Sequence, residues 1–190
     1  MAKLGSIYVN FSISTAPTQE PLSVDDVKDD LGINTTDHDA KLRRYIVEGR
    51  NLAEKTLGRA LITQGITYKF DEFPYDDEVY LPRPPLISVT SVSYIDSTGT
   101  TQTFTSYSTD TTSQPGRIYL NYGVDWPSTQ DIENAITIVY QAGYGDASSI
   151  PQNILGGIML YVQERFYQSD SKYAENAMNN LFGVEQVWHF

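Results

Sequence analysis

The clearest pattern in the chain is an apolar stripe at helical spacing over about residues 37–57. Its members recur at every third or fourth position and would share one face of a helix: Leu42, Tyr45, Ile46, Gly49, Leu52, Ala53 and Leu57. Gly58 follows at the position where a left-handed C-cap is expected. The pattern therefore predicts a long amphipathic helix that ends at Gly58.

A shorter helix is predicted before this stripe. Ser23 is a favourable N-cap, and Asp25 and Asp26 would occupy the first turn, where the helix dipole favours negative charge. Gly32 is expected to end this helix. Residues 1–20 have weak periodicity, and we interpret them as an arm outside the core.

Two more helices are predicted near the other end of the chain. The first begins at Ile150-Pro151 and contains Gly156 and Gly157, which suit a close approach of another backbone. We expect that backbone to be the helix at 37–57. A final helix is expected to begin after Ser171 and to stop at Gly183.

Between these helices the apolar period changes to two, which indicates strands. Six strands are predicted, at about 62–70, 78–81, 87–95, 101–107, 117–120 and 135–140. A phase slip after Val89 predicts a β-bulge near Thr90-Ser91. From Ser88 to Ser113, 16 of 26 residues are Ser or Thr, which indicates an exposed sheet followed by a polar loop at 108–114.

The order of elements predicts an α+β fold. Its simplest packing is a helical bundle formed by the N- and C-terminal helices, with an inserted β-rich lobe of about six strands. The predicted division is an arm at 1–20, one domain at 21–183 and a tail at 184–190. Within the domain, the helices occupy 21–60 and 150–183 and the β-lobe occupies 61–145.

Composition removes most kinds of chemistry. The chain has 190 residues, no cysteine and two histidines, so disulfides, thiolate zinc sites and cysteine nucleophiles are excluded. No phosphate-binding loop or nucleophile elbow is present. The carboxylates of Asp76, Asp77 and Glu78 are more typical of a solvated turn than of a metal site, and His38 lacks a partner nucleophile. We expect no enzyme, no cofactor and no metal.

The charge is acidic and unevenly distributed. Formal net charge is −11, and residues 61–150 contain 3 basic against 11 acidic groups. Nucleic-acid binding usually requires a basic stripe, so the chain is not expected to bind the phosphate backbone. No apolar run is long enough to span a bilayer and no secretory signal is evident, which favours a soluble protein made in a cytoplasm.

Two features suggest protein contacts. The chain has 14 Tyr against 7 Phe, and tyrosine is enriched at interfaces, although a thin β-lobe would also use it on half-buried faces. An apolar tail follows Gly183 with no later element to cover it: Val184, Val187, Trp188 and Phe190. This tail either folds back on the body or anchors a partner, and we favour a partner.

Several short segments occur in a characteristic order over about residues 21–166. They are 21–23 (PLS), 54–64 (EKTLGRALITQ), 73–74 (FP), 81–92 (LPRPPLISVTSV), 115–118 (PGRI), 126–127 (WP), 137–145 (TIVYQAGYG) and 150–151 (IP). In order and spacing, this series resembles the phage head–tail connector (adaptor) family of long-tailed phages and gene-transfer agents.

The resemblance implies a structural virion protein whose fold is a helical bundle with a β-rich insertion. It implies a ring, commonly of twelve copies, below the portal protein at the head–tail junction of the virion. Before assembly the protein would be in the host cytoplasm. The ring would contact a head-completion (stopper) or tail protein while DNA passes through its channel, with no membrane involved.

Under this reading, the tail residues Val184, Val187, Trp188 and Phe190 are predicted to bind the portal. The acidic excess is predicted to face the channel at least in part, so that DNA slides past without tight contacts. The hairpin at 87–107 is the candidate for subunit or downstream contacts, through Tyr94, Phe104 and Tyr107.

A different class of function remains open. A β-lobe rich in Tyr, Ser and Thr also fits a carbohydrate- or receptor-binding module on a virion or cell surface. Such a module would need no helical bundle of this size and would bind glycans as a monomer or trimer. A small hydrolase is less favoured, because no nucleophile motif is present.

Overall fold

The computed structural model describes residues 10–167 together with Asn176, Met178, Asn180, Phe182 and Gly183. The described residues form a mixed α/β structure with antiparallel strands, as the sequence predicts. The helices are α1 (Val24–Leu31), α2 (Asp39–Leu57) and α3 (Gln152–Tyr167), with a 3-10 turn at Ala147–Ser149. The strands are β1 (Asn10–Thr15), β2 (Gln64–Phe70), β3 (Glu78–Tyr80), β4 (Leu86–Ile95), β5 (Thr101–Phe104), β6 (Tyr107–Asp110), β7 (Arg117–Leu120) and β8 (Ile136–Ala142).

The chain divides into two compact units. The β unit comprises Met1–Ala16 and Gln64–Ala142, and the helical unit comprises Pro17–Thr63 and Gly143–Phe190. Residues 10–16, which we interpreted as an arm, therefore belong with the strands.

The β unit contains a five-stranded sheet in the order β1-β2-β8-β4-β5 and a three-stranded sheet in the order β3-β7-β6. Burial alternates strictly along the central strand β8. Ile136, Ile138 and Tyr140 are buried, and the residues between them are half-buried. On the buried face, Tyr140 pairs with Ile66 of β2 and Val89 of β4. The sequence of this strand, with Ala135 and Val139 on its other face, predicts burial on both faces, but only one face of β8 is fully buried.

Two strands were missed by the sequence analysis. β1 pairs with β2 at the sheet edge; Phe11 and Ile13 alternate with polar residues, but this short pattern was not assigned to a strand, and most residues of β1 are exposed. β6 pairs with β7 across the segment predicted as a polar loop, and it was missed because three of its four residues are polar. The total is therefore eight strands rather than six in the described chain. The bulge predicted in β4 is confirmed, since the register against β8 shifts between Val89 and Ser91.

Aspartate-centred turns close two connections of the β unit. The Thr98 hydroxyl and the Gln102 amide donate to Asp96 and lower the pKa of its carboxyl, with further backbone donors. The Ser113 and Thr112 hydroxyls lower the pKa of the Asp110 carboxyl in the same way. Hydrogen bonds that favour the ionised form hold both turns in place at neutral pH.

The helical unit has one apolar core, and its helix ends follow the predicted capping. Its fully buried members come from all three helices and the segment after α2: Val27, Leu42, Ala53, Leu57, Leu61, Ile154, Ile158 and Val162. The Ser23 hydroxyl accepts from the Asp26 N–H at 3.0 Å in a capping box. Gly32 and Gly58 are left-handed C-caps with φ of 68° and 66°. Burying a Leu or Ile side chain contributes about 1.5–3 kcal/mol.

The close helix approach occurs at a different glycine from the predicted pair. A Cβ at Gly49 of α2 would lie 3.1 Å from Ile158 Cγ2 of α3, so the small residue is on α2. Gly157 instead makes room for an aromatic ring, because a Cβ there would lie 2.5 Å from Phe182 Cε1. Of the predicted final helix, Asn176, Met178, Asn180, Phe182 and Gly183 are described, and all five are helical, so Gly183 is part of the helix rather than a cap beyond it.

A buried ion network ties the segment before α1 to α2. Arg50 Nε donates to Glu20 Oε2 at 2.7 Å, and Arg50 Nη1 lies 3.5 Å from Glu54 Oε2. Glu54 Oε1 also accepts a hydrogen bond from the Leu61 N–H at 3.0 Å, which pairs a backbone donor in the segment just after Gly58. The Arg50 guanidinium thus links the segment before α1 to α2, and Glu54 links the segment after α2 to the same network.

Candidate interaction surfaces

The tail predicted as the portal contact lies outside the described residues. The portal contact therefore remains a prediction from sequence for its four residues, Val184, Val187, Trp188 and Phe190. The three other predicted contact residues, Tyr94, Phe104 and Tyr107, are all in the β unit.

These three residues are brought together in an aromatic cluster around Phe73 and Trp126. The Phe73 and Trp126 rings stack with centroids 4.5 Å apart and planes 5° from parallel. Phe73 lies 6.3 Å from Tyr94 and 6.2 Å from Phe104, and Phe104 lies 6.2 Å from Tyr107. Every member is half-buried, so the cluster supports the β unit and presents part of its surface.

Burial also affects the chemistry of this cluster, because desolvation raises the pKa of the Tyr107 phenol. Sequence reasoning missed Phe73 and Trp126 as members. Both precede a proline in segments that carry the family resemblance, but their contact joins loops about fifty residues apart. No pattern along the chain indicates that pairing.

A second surface is formed by the outward side chains of the three-stranded sheet. Its register places Glu78 opposite Tyr119 and Tyr80 opposite Arg117. Arg117 Nη1 donates to Glu78 Oε2 at 2.6 Å, and Arg117 Nε lies 3.3 Å from Asp110 Oδ2. The Tyr80 hydroxyl and the Glu78 carboxylate raise the pKa of the Arg117 guanidinium. Arg117 is therefore already matched by two carboxylates of its own sheet.

Beside this sheet lies an open depression of about 400 Å³. It is lined by Asp76, Asp77, Glu78, Arg117, Tyr119 and Leu120. Its rim is positioned by backbone contacts, because Trp126 Nε1 donates to the Asp76 carbonyl and the Leu120 N–H donates to the Asp77 carbonyl, both at 2.9 Å.

Two tyrosines next to the depression in sequence are fully exposed. Tyr75 and Tyr122 have relative exposures of 104% and 105%, and Tyr80 and Tyr119 are partly exposed at 48% and 40%. We call the depression together with Tyr75 and Tyr122 the carboxylate–tyrosine face. Exposed tyrosines beside charged groups are typical of protein contact surfaces.

The exposed cations are concentrated elsewhere. Five Lys or Arg residues are exposed in the described chain, and four belong to α2 and α3: Arg43, Arg44, Lys55 and Arg165. Around the Tyr45 ring, the charged groups of Lys41, Arg44 and Arg165 lie 5.7, 5.2 and 5.6 Å from the centroid. Both arginines lie 3.7 Å from a single carboxylate, that of Glu48. We call Lys41, Arg44 and Arg165 the Tyr45 cation cluster.

The described residues include no group of three or more His, Asp or Glu arranged to hold a metal ion. None of the helices in the described ranges is long and apolar enough to cross a bilayer. What the geometry offers is two half-exposed surfaces of opposite charge and an aromatic cluster.

The sequence model of the family described as head completion protein matches residues 20–180. Among curated proteins, no match is found. Three solved chains share the fold at 20% identity, and the first is from the "Neck of empty GTA particle computed with C6 symmetry" (TM-score 0.80; 95% of this chain and 97% of that one covered).

The second is from the "Virion of native gene transfer agent (GTA) particle" (TM-score 0.76, 95% and 96% covered). The third is from the "Neck of native GTA particle computed with C12 symmetry" (TM-score 0.75, 95% and 97% covered). At this level of identity, the likeness establishes a common fold over almost the full length of both chains.

Proposed function

Since the chain belongs to the head completion protein family, we propose that it is a structural component of the head–tail junction of a phage-like particle. The observation that carries the proposal is the family match over residues 20–180, joined to a fold shared with neck chains over 95% of the sequence. The protein acts by its shape and contacts and performs no reaction.

The proposed assembly is a closed ring of twelve copies below the portal. In each copy, the helices form a bundle and the strands form an inserted lobe. A C12 neck among the structures that share the fold supports this number. Closed symmetry suits such a role, because every subunit has a neighbour bound at each of its two interfaces and growth stops at a defined size.

The ring links the portal to the next head-completion or tail protein. The tail residues Val184, Val187, Trp188 and Phe190 bind the portal, because terminal aromatic side chains make strong anchors in a partner's pocket. DNA passes through the channel without specific binding. Part of the acidic excess of −11 faces that channel and disfavours contacts with the phosphate backbone.

The tail is tested by substitution and binding to portal-bearing capsids. Changing Val184, Val187, Trp188 and Phe190 to Ser should abolish attachment. A matched variant with Glu185→Ala and Gln186→Ala alters the polar positions of the same tail and should attach normally. Equal attachment of both variants rejects the portal contact.

The whole proposal is tested by a cryo-EM map of the particle neck and by mass measurement with and without purified portal. We expect density for the protein as a ring directly below the portal. Absence of the protein from the junction overturns the proposal. A monomer or trimer that binds glycans would instead favour the receptor-binding alternative.

A further inference from the structure

We infer that the carboxylate–tyrosine face of one copy binds the Tyr45 cation cluster of a neighbouring copy. This inference rests on the proposed function, because it assigns the two sides of the contact between neighbours in the ring. A ring built head to tail needs two different surfaces on each chain that complement one another. The carboxylate–tyrosine face and the Tyr45 cation cluster are two such surfaces of opposite charge.

The carboxylate–tyrosine face has unmatched negative charge. Arg117 is shared by Glu78 and Asp110, whereas no ion pair among the described residues includes Asp76 or Asp77. These two carboxylates line the depression, which is large enough to receive an Arg or Lys side chain. Tyr75 and Tyr122, which are close to its lining residues in sequence and fully exposed, supply apolar area at the low entropic cost of a rigid ring.

The Tyr45 cation cluster has the opposite imbalance. Arg44 and Arg165 share the single carboxylate of Glu48, and Lys41 adds a third cation near the same ring. The side chains of Arg44 and Arg165 are 64% and 54% exposed, so their guanidiniums can reach a partner. Planar guanidiniums bind carboxylates bidentately and stack on aromatic rings, which fits the chemistry of the other face.

The overall charge favours a second copy as the occupant at this contact. Two copies that each have a net charge of −11 repel one another over most of their surfaces. Association is therefore favoured where exposed carboxylates of one copy meet the exposed cations of the other. Such charge complementarity sets the register between neighbours and excludes other orientations.

The test is a charge reversal with rescue by mixing. One variant has Asp76→Lys and Asp77→Lys, and the other has Arg44→Glu and Arg165→Glu. Self-association is measured by sedimentation at millimolar protein and low ionic strength, where the Debye length exceeds about 10 Å. We expect each variant alone to associate at least about tenfold more weakly than the wild type.

An equimolar mixture of the two variants should recover association, because the reversed faces complement each other in alternating order. A control with Asp131→Lys and Glu133→Lys makes the same change in net charge as the variant with Asp76→Lys and Asp77→Lys, at exposed positions outside the depression, and it should associate at least as strongly as the wild type. Circular dichroism verifies that all variants are folded.

A monomeric wild type, undiminished association of either variant, or failure of the mixture overturns the inference. Attachment to portal-bearing particles separates this failure from failure of the proposed function. If the variants attach as the wild type does, the ring is held by other surfaces and the structural role stands. If the wild type itself does not attach, the proposed function fails.

Discussion

Replacing Arg50 by methionine should destabilise the helical unit by about 3 kcal/mol. Arg50 contacts both oxygens of Glu20, at 2.7 and 3.3 Å, and lies 3.5 Å from Glu54. The Arg50 and Glu54 side chains are only 9% and 4% exposed. Methionine preserves much of the apolar stem but removes the positive charge, so the Glu54 carboxylate stays buried with its compensation reduced.

The same helix contains a matched control. Arg44 also has a glutamate four residues later, Glu48, at 3.7 Å, but the two side chains are 64% and 35% exposed. Water and salt screen this pair, so Arg44→Met should cost at most about 0.5 kcal/mol. The two substitutions remove the same residue type from the same i,i+4 geometry and differ mainly in burial.

Urea unfolding followed by circular dichroism measures the difference. For a slope of about 2 kcal/mol/M, the Arg50 variant should lower the midpoint by about 1.5 M, and the Arg44 variant by less than about 0.3 M. Adding Glu54→Gln to Arg50→Met should restore part of the loss, because the buried charge is gone. Equal midpoints for the two single variants would refute the reasoning that burial determines the cost.

Two further predictions concern the backbone and acid pH. Gly143→Ala should lower stability by more than about 2 kcal/mol, since φ is 130° and the added Cβ would lie 2.6 Å from the Ile62 carbonyl carbon. Gly123→Ala, with φ of 75° and no atom within 4 Å, should cost about 1 kcal/mol in the same thermal melts. The lowered pKa values of Asp96 and Asp110 contribute stability that is present at neutral pH and lost as pH falls below about 4, towards the folded values. Melting temperature between pH 2 and about 6 should decline less steeply when both are changed to Asn; an unchanged slope would contradict the assignment.

The helices were largely predictable from the sequence because their signals are local. The stripe from Leu42 to Leu57 repeats over five turns of α2, and the caps at Ser23, Gly32 and Gly58 depend on neighbouring residues only. The glycine at the helix contact was misassigned, because the sequence does not indicate which partner side chain faces it. Gly157 faces the ring of Phe182, which comes from a distant part of the chain.

The strands were predictable only where one face is apolar. β8 alternates between buried and half-buried positions, and its neighbour β4 even reveals its bulge. β1 has only two apolar residues, Phe11 and Ile13, and β6 has only Tyr107, so pairing with a neighbour contributes more to these strands than their own pattern does. Hydrogen bonding to a preformed edge compensates for weak intrinsic preference.

The contact surfaces follow the same rule. Tyr94, Phe104 and Tyr107 were candidates because aromatic residues in a polar hairpin are conspicuous. Their partners Phe73 and Trp126 come from loops whose proximity is set by sheet topology. The carboxylate–tyrosine face likewise depends on the pairing of β3 with β7, which are far apart in the chain.

The interleaved connectivity of the two units has a consequence for biosynthesis. β1 leaves the ribosome before α1 and α2, yet its partner β2 follows both helices. α2 must in turn wait for α3, which is made after the last strand. The β unit can therefore be completed once β8 has left the ribosome, whereas the helical unit is completed only by α3. The contact inferred above joins the β unit to Arg165 of α3, so neighbouring subunits can form it only after most of the chain has been made.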